Sequence, residues 1–339
     1  MVGKKVPKVT VVILNLNGVG FTRKCVESVL ASDWGNFEIL LMDNGSEGGE
    51  AEKLEKEFAS DRVRVVKNRE NLGFAKANNV GARLARSKYL VFLNNDAIVD
   101  KEWLQPLVEV AEADEQTVAC QPKILSVISR GSFDYAGAAG GYIDRFGYPF
   151  ARGRVFFNLE EDVGQYDDVR EVGWACGVAM FVKRKQFLEL GGFDEDFFIY
   201  HEETDLCWRW REKGYKIFCV PRSVVYHYGS GFVGKNLPWK VFLIHRNMWL
   251  MGLKHLSLGD LLLHLGFDLA SVIFYLSYLQ WGQVKSVFKA YGWLVSHWQV
   301  VEKKRREYKP TLRRDFLYPG SVAVEGFLRG KRKFSDLNF

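Results

Sequence analysis

Four short runs of β-branched and apolar residues, at 9–16, 37–42, 62–66 and 89–93, alternate with segments of helical periodicity such as 21–30 and 74–85. An alternation of strand and helix on this scale leaves few topologies, because strand-to-strand crossovers are right-handed and lay successive strands parallel, with helices over both faces of the sheet. The expected fold is therefore α/β, a mostly parallel sheet flanked by helices. In such sheets ligands sit beyond the carboxyl ends of the strands. Chemistry is to be sought in the residues that follow each strand.

Those residues are polar at every end. The first strand runs into Asn15-Leu16-Asn17-Gly18, the second into Asp43-Asn44-Gly45-Ser46, and the fourth into Asn94-Asn95-Asp96. All three should line one crevice. The turn-rich loop 68–74, which ends in Gly73-Phe74, precedes the helix carrying Asn78 and Asn79 and brings further polar groups to the same rim. Asp43 and Asp96 have a plainer reading as Asx turns that close a strand. Their shared position at strand ends favours ligand contact: Asp43 toward a nucleotide base or ribose, Asp96 toward a divalent cation that offsets the charge of a diphosphate leaving group.

Farther on, Glu202, Glu203 and Asp205 open a run that looks helical and stops at Gly214. Acids in a first helical turn complement the dipole and cap free amides. Three acids beside Phe197, Phe198 and Tyr200 exceed what capping requires, and an aromatic wall raises a carboxyl pKa toward the range of a general base. The base is one of Glu202, Glu203 and Asp205. His227 follows an apolar run after Pro221 and precedes Tyr228-Gly229-Ser230-Gly231. A lone histidine is often structural, but a glycine-rich loop behind it can fold over phosphates, so His227 is a candidate metal ligand.

Residues 131–173 are rich in Gly, Tyr, Asp and Arg with little periodicity and read as a long irregular insertion that shapes a substrate site. The character changes again after about residue 234. Residues 261–281 are about long enough to cross a bilayer, yet His264, Asp268, Ser271 and Tyr275 fall on one helical stripe, so the segment either spans or lies on the surface. Trp281, Trp293 and Trp298 resemble interfacial anchors. From 301 to 339 there are eleven Lys or Arg against five Asp or Glu, so the tail alone accounts for the net charge of +6. That tail lacks a nucleic-acid-reading motif, and an anionic membrane surface is the better partner. Two regions result, 1–235 and 236–339. The five cysteines stand singly without metal-ligand spacing, as buried thiols of a reducing compartment do. The apolar run behind the N-terminal lysines is too short for a secretory signal, so the body is expected in the cytosol.

Six segments in order resemble the inverting family 2 glycosyltransferases, especially their rhamnosyltransferase-like branch. They are Val-Val-Ile-Leu-Asn-Leu-Asn-Gly at 11–18, Met-Asp-Asn-Gly-Ser at 42–46, Asn-Leu-Gly-Phe-Ala-Lys-Ala-Asn-Asn at 71–79 and Phe-Leu-Asn-Asn-Asp at 92–96, then Gly-Gly-Phe-Asp-Glu-Asp-Phe-Phe at 191–198 and Glu-Glu-Thr-Asp-Leu-Cys-Trp-Arg at 202–209. The resemblance implies the GT-A (Rossmann-like) fold over about residues 9–231. It implies a nucleotide held by Asn15, Asn17, Asp43, Gly73 and Phe74, with Asn78 and Asn95 on the same rim. Asp96 would be the last acid of the family's DxD motif, whose first position is Asn94 here, and His227 would complete a site for Mg or Mn. The family's base falls on Glu203, where aspartate is usual. A sugar would pass from a UDP- or dTDP-sugar to a glycan or lipid-linked acceptor with inversion, at the cytoplasmic face of the cell membrane, where the C-terminal extension is held.

Two other functions fit parts of the pattern. A dinucleotide-dependent oxidoreductase would use Gly18-Val19-Gly20 and Asp43, although the third glycine of that fingerprint is replaced by Arg23 and the later acids are left without work. A non-catalytic, membrane-attached scaffold that binds sugar nucleotides would tolerate the two departures from the family's motifs.

Overall fold

A computed structural model describes residues 6–229, 237–308 and 313–337. The N-terminal half follows the alternation: β1 (Val9–Asn15), α1 (Val19–Leu30), β2 (Phe37–Asp43), α2 (Glu50–Phe58), β3 (Val63–Lys67), α3 (Gly73–Leu84) and β4 (Tyr89–Asn94), then β5 (Ala97–Val99), α4 (Leu104–Ala113) and β6 (Thr117–Ser126). After β6 come four short strands, β7 (Gly141–Ile143), β8 (Pro149–Ala151), β9 (Arg154–Val155) and β10 (Asn158–Leu159). The central sheet is completed by β11 (Arg170–Glu171), β12 (Ala179–Lys183) and β13 (Lys216–His227), with α5 (Arg184–Glu189) and α6 (Glu202–Glu212) between the last two. Four helices close the chain: α7 (Leu237–His255), α8 (Leu258–Ser277), α9 (Trp281–Ser296) and α10 (Trp298–Glu307).

The central sheet has nine strands in the order β11-β13-β6-β12-β4-β1-β2-β3, with β5 paired to β13. β4, β1, β2 and β3 are parallel, as expected. The sheet as a whole is mixed rather than mostly parallel: β12 runs antiparallel to both β4 and β6, and β5 and β11 run antiparallel to β13. The apolar run that forms β12 carries no mark of direction; its approach from the 131–173 segment decides that. The strands are buried and continuous in Val, Ile, Leu and Phe, as sheets covered on both faces require. Gly81 lets α3 lie close on the sheet, since a Cβ there would fall 2.7 Å from Val12 Cγ1.

The segment expected to be irregular carries the four-stranded antiparallel sheet β10-β9-β8-β7. Its core, Phe150 and Val155, is completed by Tyr318, Val322 and Leu337 from the C-terminal tail. Two- and three-residue strands leave too little periodicity to read from sequence. The basic tail is likewise more engaged than its composition implied: Lys304 pairs with Asp194 and Asp196, Arg314 with Asp260, and Arg329 and Lys331 with Glu325.

Residues 261–281 do not form one helix. α8 ends at Ser277, the chain turns through Leu279 at φ 55°, and α9 begins at Trp281. α8 is the one helix among the described residues long and apolar enough to cross a membrane. Its polar stripe faces the body: Asp268 accepts hydrogen bonds from Trp249 Nε1 at 2.6 Å and Tyr291 at 2.8 Å and lies 2.8 Å from His245 Nδ1, while His264 stacks on Tyr148. Its opposite face exposes Leu262, Leu263, Leu269 and Ile273. Trp281 and Trp298 are exposed, whereas Trp293 is half-buried between His297 and Arg246. All five cysteines are buried free thiols.

Candidate active site

The parallel strands deliver their polar ends to one rim, where they bind each other. Asn15 Nδ2 lies 2.9 Å from Asp43 Oδ2, 3.0 Å from Ser46 Oγ and 3.0 Å from Glu50 Oε2, and Asn15 Oδ1 accepts from Thr22 at 2.6 Å. Asp43 also accepts from the Ser46 amide, and Asn17, at φ 51°, accepts from the Glu47 amide. Asn95 donates to Thr22, joining the end of β4 to α1. Asn44, expected at the crevice from its place after the second strand but given no role there, binds Asn71, Asn68 and the Leu72 amide and so fixes the loop that carries Gly73 and Phe74. Asn15 and Asp43 are therefore spent on one another and shape the floor. Asn78 bonds back to the Phe74 carbonyl within α3 and leaves its Oδ1 buried without a partner among the described residues.

Gly73 joins this rim to the second half of the site. At φ 76° it adopts a conformation that suits glycine, and a Cβ there would fall 2.5 Å from the Phe198 ring. The Phe74 and Ala75 amides, at the start of α3, donate to the Phe198 carbonyl at 2.7 and 3.1 Å. Phe198, Tyr200 and His201 all have positive φ, and non-glycine residues hold such conformations only where their surroundings enforce them. The enforcement comes from α7. Asn247 Nδ2 reaches the carbonyls of Phe197, Ile199 and Tyr200 at 2.8–2.9 Å, and Arg246 donates to those of Asp196 and Phe197.

The loop so held presents Glu202 and Glu203. Each has one carboxylate oxygen buried without a hydrogen-bond partner among the described residues, as has the Tyr200 hydroxyl. Burial, and then the neighbouring Glu203 charge, pushes the Glu202 carboxyl well up; burial raises Glu203 to about 7. Glu203 belongs to the same crevice as the strand ends. A Cβ on Gly177 would stand 3.3 Å from Phe74 Cζ and 4.0 Å from Glu203 Cδ, and the next carbonyl, of Val178, accepts from the Asn94 amide at the end of β4.

Asp205 does not share this position. Fully enclosed, it receives Arg209 Nε at 2.8 Å and Lys254 Nζ at 2.7 Å and lies 3.0 Å from His255 Nε2. Burial opposes its charge, but Lys254 and Arg209 hold the carboxyl well below its usual range. As a candidate base it is displaced: it faces away from the Glu202–Glu203 loop into a cluster of cations that fastens α6 to α7.

Asp96 and His227 meet because β5 and β13 pair with His227 opposite Ala97, the residue after Asp96. His227 Nε2 lies 3.1 Å from Asp96 Oδ1, and its Nδ1 lies 3.0 Å from Asp134 Oδ1. Burial pushes the imidazole pKa down, but the two carboxylates outweigh it and raise it to about 9. Asp134 was not singled out from sequence, being one of several acids in an aperiodic stretch. As the described residues stand, His227 is an imidazole of raised pKa paired to two carboxylates; a divalent cation would have to replace the proton it shares with Asp96 to make a half-site there, with Asp134 on the far nitrogen to fix the ring. The described residues hold no group of three or more such ligands, so the remaining positions would fall to diphosphate oxygens. Ser230 and Gly231, read as a phosphate loop behind His227, lie outside the described residues.

Residues 10–159 match the model of glycosyl transferase family 2. The chain contains a glycosyl transferase family 2 domain. It is 28% identical over 227 residues to the O-antigen biosynthesis protein RfbC of Myxococcus xanthus, covering 66% of this chain and 17% of that protein. It is 27% identical over 236 residues to the N-acetylglucosaminyl-diphospho-decaprenol L-rhamnosyltransferase of Mycobacterium tuberculosis, covering 62% of this chain and 73% of that one. The fold matches that of GalNAc-T7, solved with UDP, GalNAc and Mn2+, at a TM-score of 0.59 and 22% identity, over 74% of this chain and 48% of that chain. The family 2 match therefore takes the place of the dinucleotide reading.

Proposed function

We propose that this chain is an inverting glycosyltransferase that moves a sugar from a UDP- or dTDP-type nucleoside diphosphate sugar to a hydroxyl of a glycan or lipid-linked acceptor. The observation that carries this is a buried carboxylate with a raised pKa and an unpartnered oxygen, Glu203, beside the strand-end crevice that ends in Asp96 and His227. The names of the relatives, a rhamnosyltransferase and an O-antigen protein, support the acceptor class.

In this reading the self-bonded rim of Asn15, Asn17 and Asp43 and the Gly73–Phe74 loop seat the nucleotide, with Asn78 and Asn95 beside them. Glu203 takes the proton of the acceptor hydroxyl as its oxygen attacks the anomeric carbon on the face opposite the diphosphate. The bond to the diphosphate oxygen breaks with its electron pair, and the configuration inverts. Glu202, whose carboxyl burial and the Glu203 charge push well up, stands beside it. Asp96 and His227 would hold Mg or Mn, which when bound offsets the charge of the departing diphosphate. Asp134 keeps the His227 ring turned toward that position.

The exposed apolar face of α8, with Trp281 and Trp298 nearby, supports attachment to the cytoplasmic face of a membrane. The polar stripe of α8 is fastened inward, which favours lying on the surface over spanning it. Residues 236–339 are then an arm that both braces the catalytic loop and meets lipid. The test is transfer of sugar from a panel of nucleotide sugars by the full chain and by Glu203→Gln. Loss of transfer in the variant with nucleotide binding kept supports the assignment; equal rates return the chain to a binding scaffold.

A further inference from the structure

A carboxylate stands in the middle of the apolar helix α8. Asp268 is 4% exposed, while Leu262, Leu269 and Ile273 of the same helix face out. Burying a carboxylate is costly, and exchanging buried charge for apolar side chains is often neutral or stabilising, so stability is a weak reason for its place. Its partners give a better one. Asp268 Oδ1 lies 2.8 Å from His245 Nδ1, and Oδ2 accepts from Trp249 Nε1 at 2.6 Å and from the Tyr291 hydroxyl at 2.8 Å.

His245 and Trp249 are one turn apart on α7, so Asp268 grips that helix at two points of one face. Between them stand Arg246 and Asn247, which reach the loop: Asn247 Nδ2 to the carbonyls of Phe197, Ile199 and Tyr200, Arg246 Nη2 to those of Asp196 and Phe197. Apolar packing is non-directional and resists rotation of a helix about its axis weakly. Two hydrogen bonds to one carboxylate, a turn apart, resist it directly. The tolerance is small: turning a helix by about 10° moves a side-chain group about 5 Å from the axis by roughly 1 Å. The Asn247 bond to the Tyr200 carbonyl, 2.8 Å long, would not survive that stretch. The far end of α7 is tied separately, by Lys254 and His255 to Asp205 of α6, two turns beyond Asn247.

We propose that Asp268 is a positioning residue for the transfer reaction: it fixes the rotation of α7, and with it the Arg246 and Asn247 donors that hold the 197–200 turn presenting Glu203. Its part in transfer rests on the glycosyltransferase reading; the grip on α7 does not. The turn needs such a hold, because Phe198 and Tyr200 sit at positive φ and non-glycine residues stay there only where their surroundings over-determine them. The Phe198 carbonyl also receives the Phe74 and Ala75 amides, which makes those two amides reporters of the turn.

The experiment compares the full chain with Asp268→Ala, Asp268→Asn, Trp249→Phe and Tyr291→Phe by backbone hydrogen exchange and by steady-state transfer from the nucleotide sugars that the wild type accepts. Expected for Asp268→Ala is exchange about tenfold faster at the Phe74, Ala75, Phe198 and Ile199 amides, with the Asn44 and Asn68 amides of the strand-end rim unchanged. kcat should fall about 10- to 100-fold, the scale of a displacement of roughly 1 Å, while donor KM stays within about threefold. Asp268→Asn keeps an acceptor for Trp249 and Tyr291 and should recover most of the loss. Trp249→Phe releases α7 and should follow Asp268→Ala in part, whereas Tyr291→Phe removes a bond from α9 and should leave the turn protected. Exchange that rises equally throughout the chain would make Asp268 structural only and overturn the proposal. So would a turn that stays protected in both Asp268→Ala and Trp249→Phe, one that loosens as much in Tyr291→Phe, or a loosened turn with kcat intact. Should Asp268→Ala fail to fold, Trp249→Phe against Tyr291→Phe decides alone. A turn that loosens as expected in a protein that transfers sugar from no nucleotide sugar keeps the grip and ends the glycosyltransferase reading instead.

Discussion

The two halves of the crevice differ in how their polar groups are satisfied. On the strand-end side, Asn15, Thr22, Asp43 and Ser46 are bonded to one another and Asn44 to the 68–72 loop, with Asn78 Oδ1 left without a partner among the described residues. On the loop side, the Tyr200 hydroxyl and one carboxylate oxygen each of Glu202 and Glu203 are buried with no partner among the described residues. Buried polar groups are ordinarily paired, so the second half carries a larger standing cost than the first. Shape is built where the bonds close, and reactivity is kept where they do not. The strained backbone at 198–201 lies on the same side, braced from α7.

The sharpest way to break this contrast is to remove an open group. Glu203→Gln should lower transfer by about 10³-fold, within the range for a lost general base. Stability moves the other way. A carboxyl raised to about 7 in the folded state, from a usual value near 4.5, contributes stability below the lower value and loses it as pH rises through the upper one. At pH 8 the variant should therefore melt no lower than wild type. The wild-type rate should climb with pH and level off above about 7, and a profile flat from pH 5.5 to 8 would count against Glu203.

Next in size is the half-site. Asp96→Ala should abolish metal-linked UDP binding, and Asp134→Asn should weaken it about 10- to 100-fold by freeing the His227 ring. Titration with Mn2+ present and absent separates these, and equal affinities in all variants would remove both residues from the donor site. Asn247→Ala leaves the Ile199 and Tyr200 carbonyls without that donor, while Phe197 keeps Arg246, and should cost about 2 kcal/mol, seen as a melting temperature lower by several degrees together with a fall in kcat. A closed and exposed group should matter least: Asn17→Gly removes one surface hydrogen bond at a residue already at positive φ, and stability should stay within about 0.5 kcal/mol.

The closed half was also the legible half. Its strands and helices announce themselves by period, the polar residues fall at strand ends, and their partners lie at most a few elements away. The open half depends on contacts remote in number. Asn247 acts on a loop nearly fifty residues earlier, just as Asp134, on the donor side, reaches His227 across an aperiodic stretch. Asp205 shows the limit from the other direction: three acids in one helical turn look alike in sequence, and only Lys254 and His255, brought in by α7, tell the structural one from the others. The antiparallel entry of β12 was hidden for the same reason.

The clasp of Asn247 on the 197–200 carbonyls bears on how such a protein can be handled at the bench. A shortened version ending near residue 235, cut to discard the greasy helices and ease purification, would also discard the donor that keeps three backbone oxygens in place and the lysine that neutralises Asp205. Such a fragment would present the strand-end floor intact and the reactive wall in disarray. Keeping α7 through α10 is what keeps that wall in place.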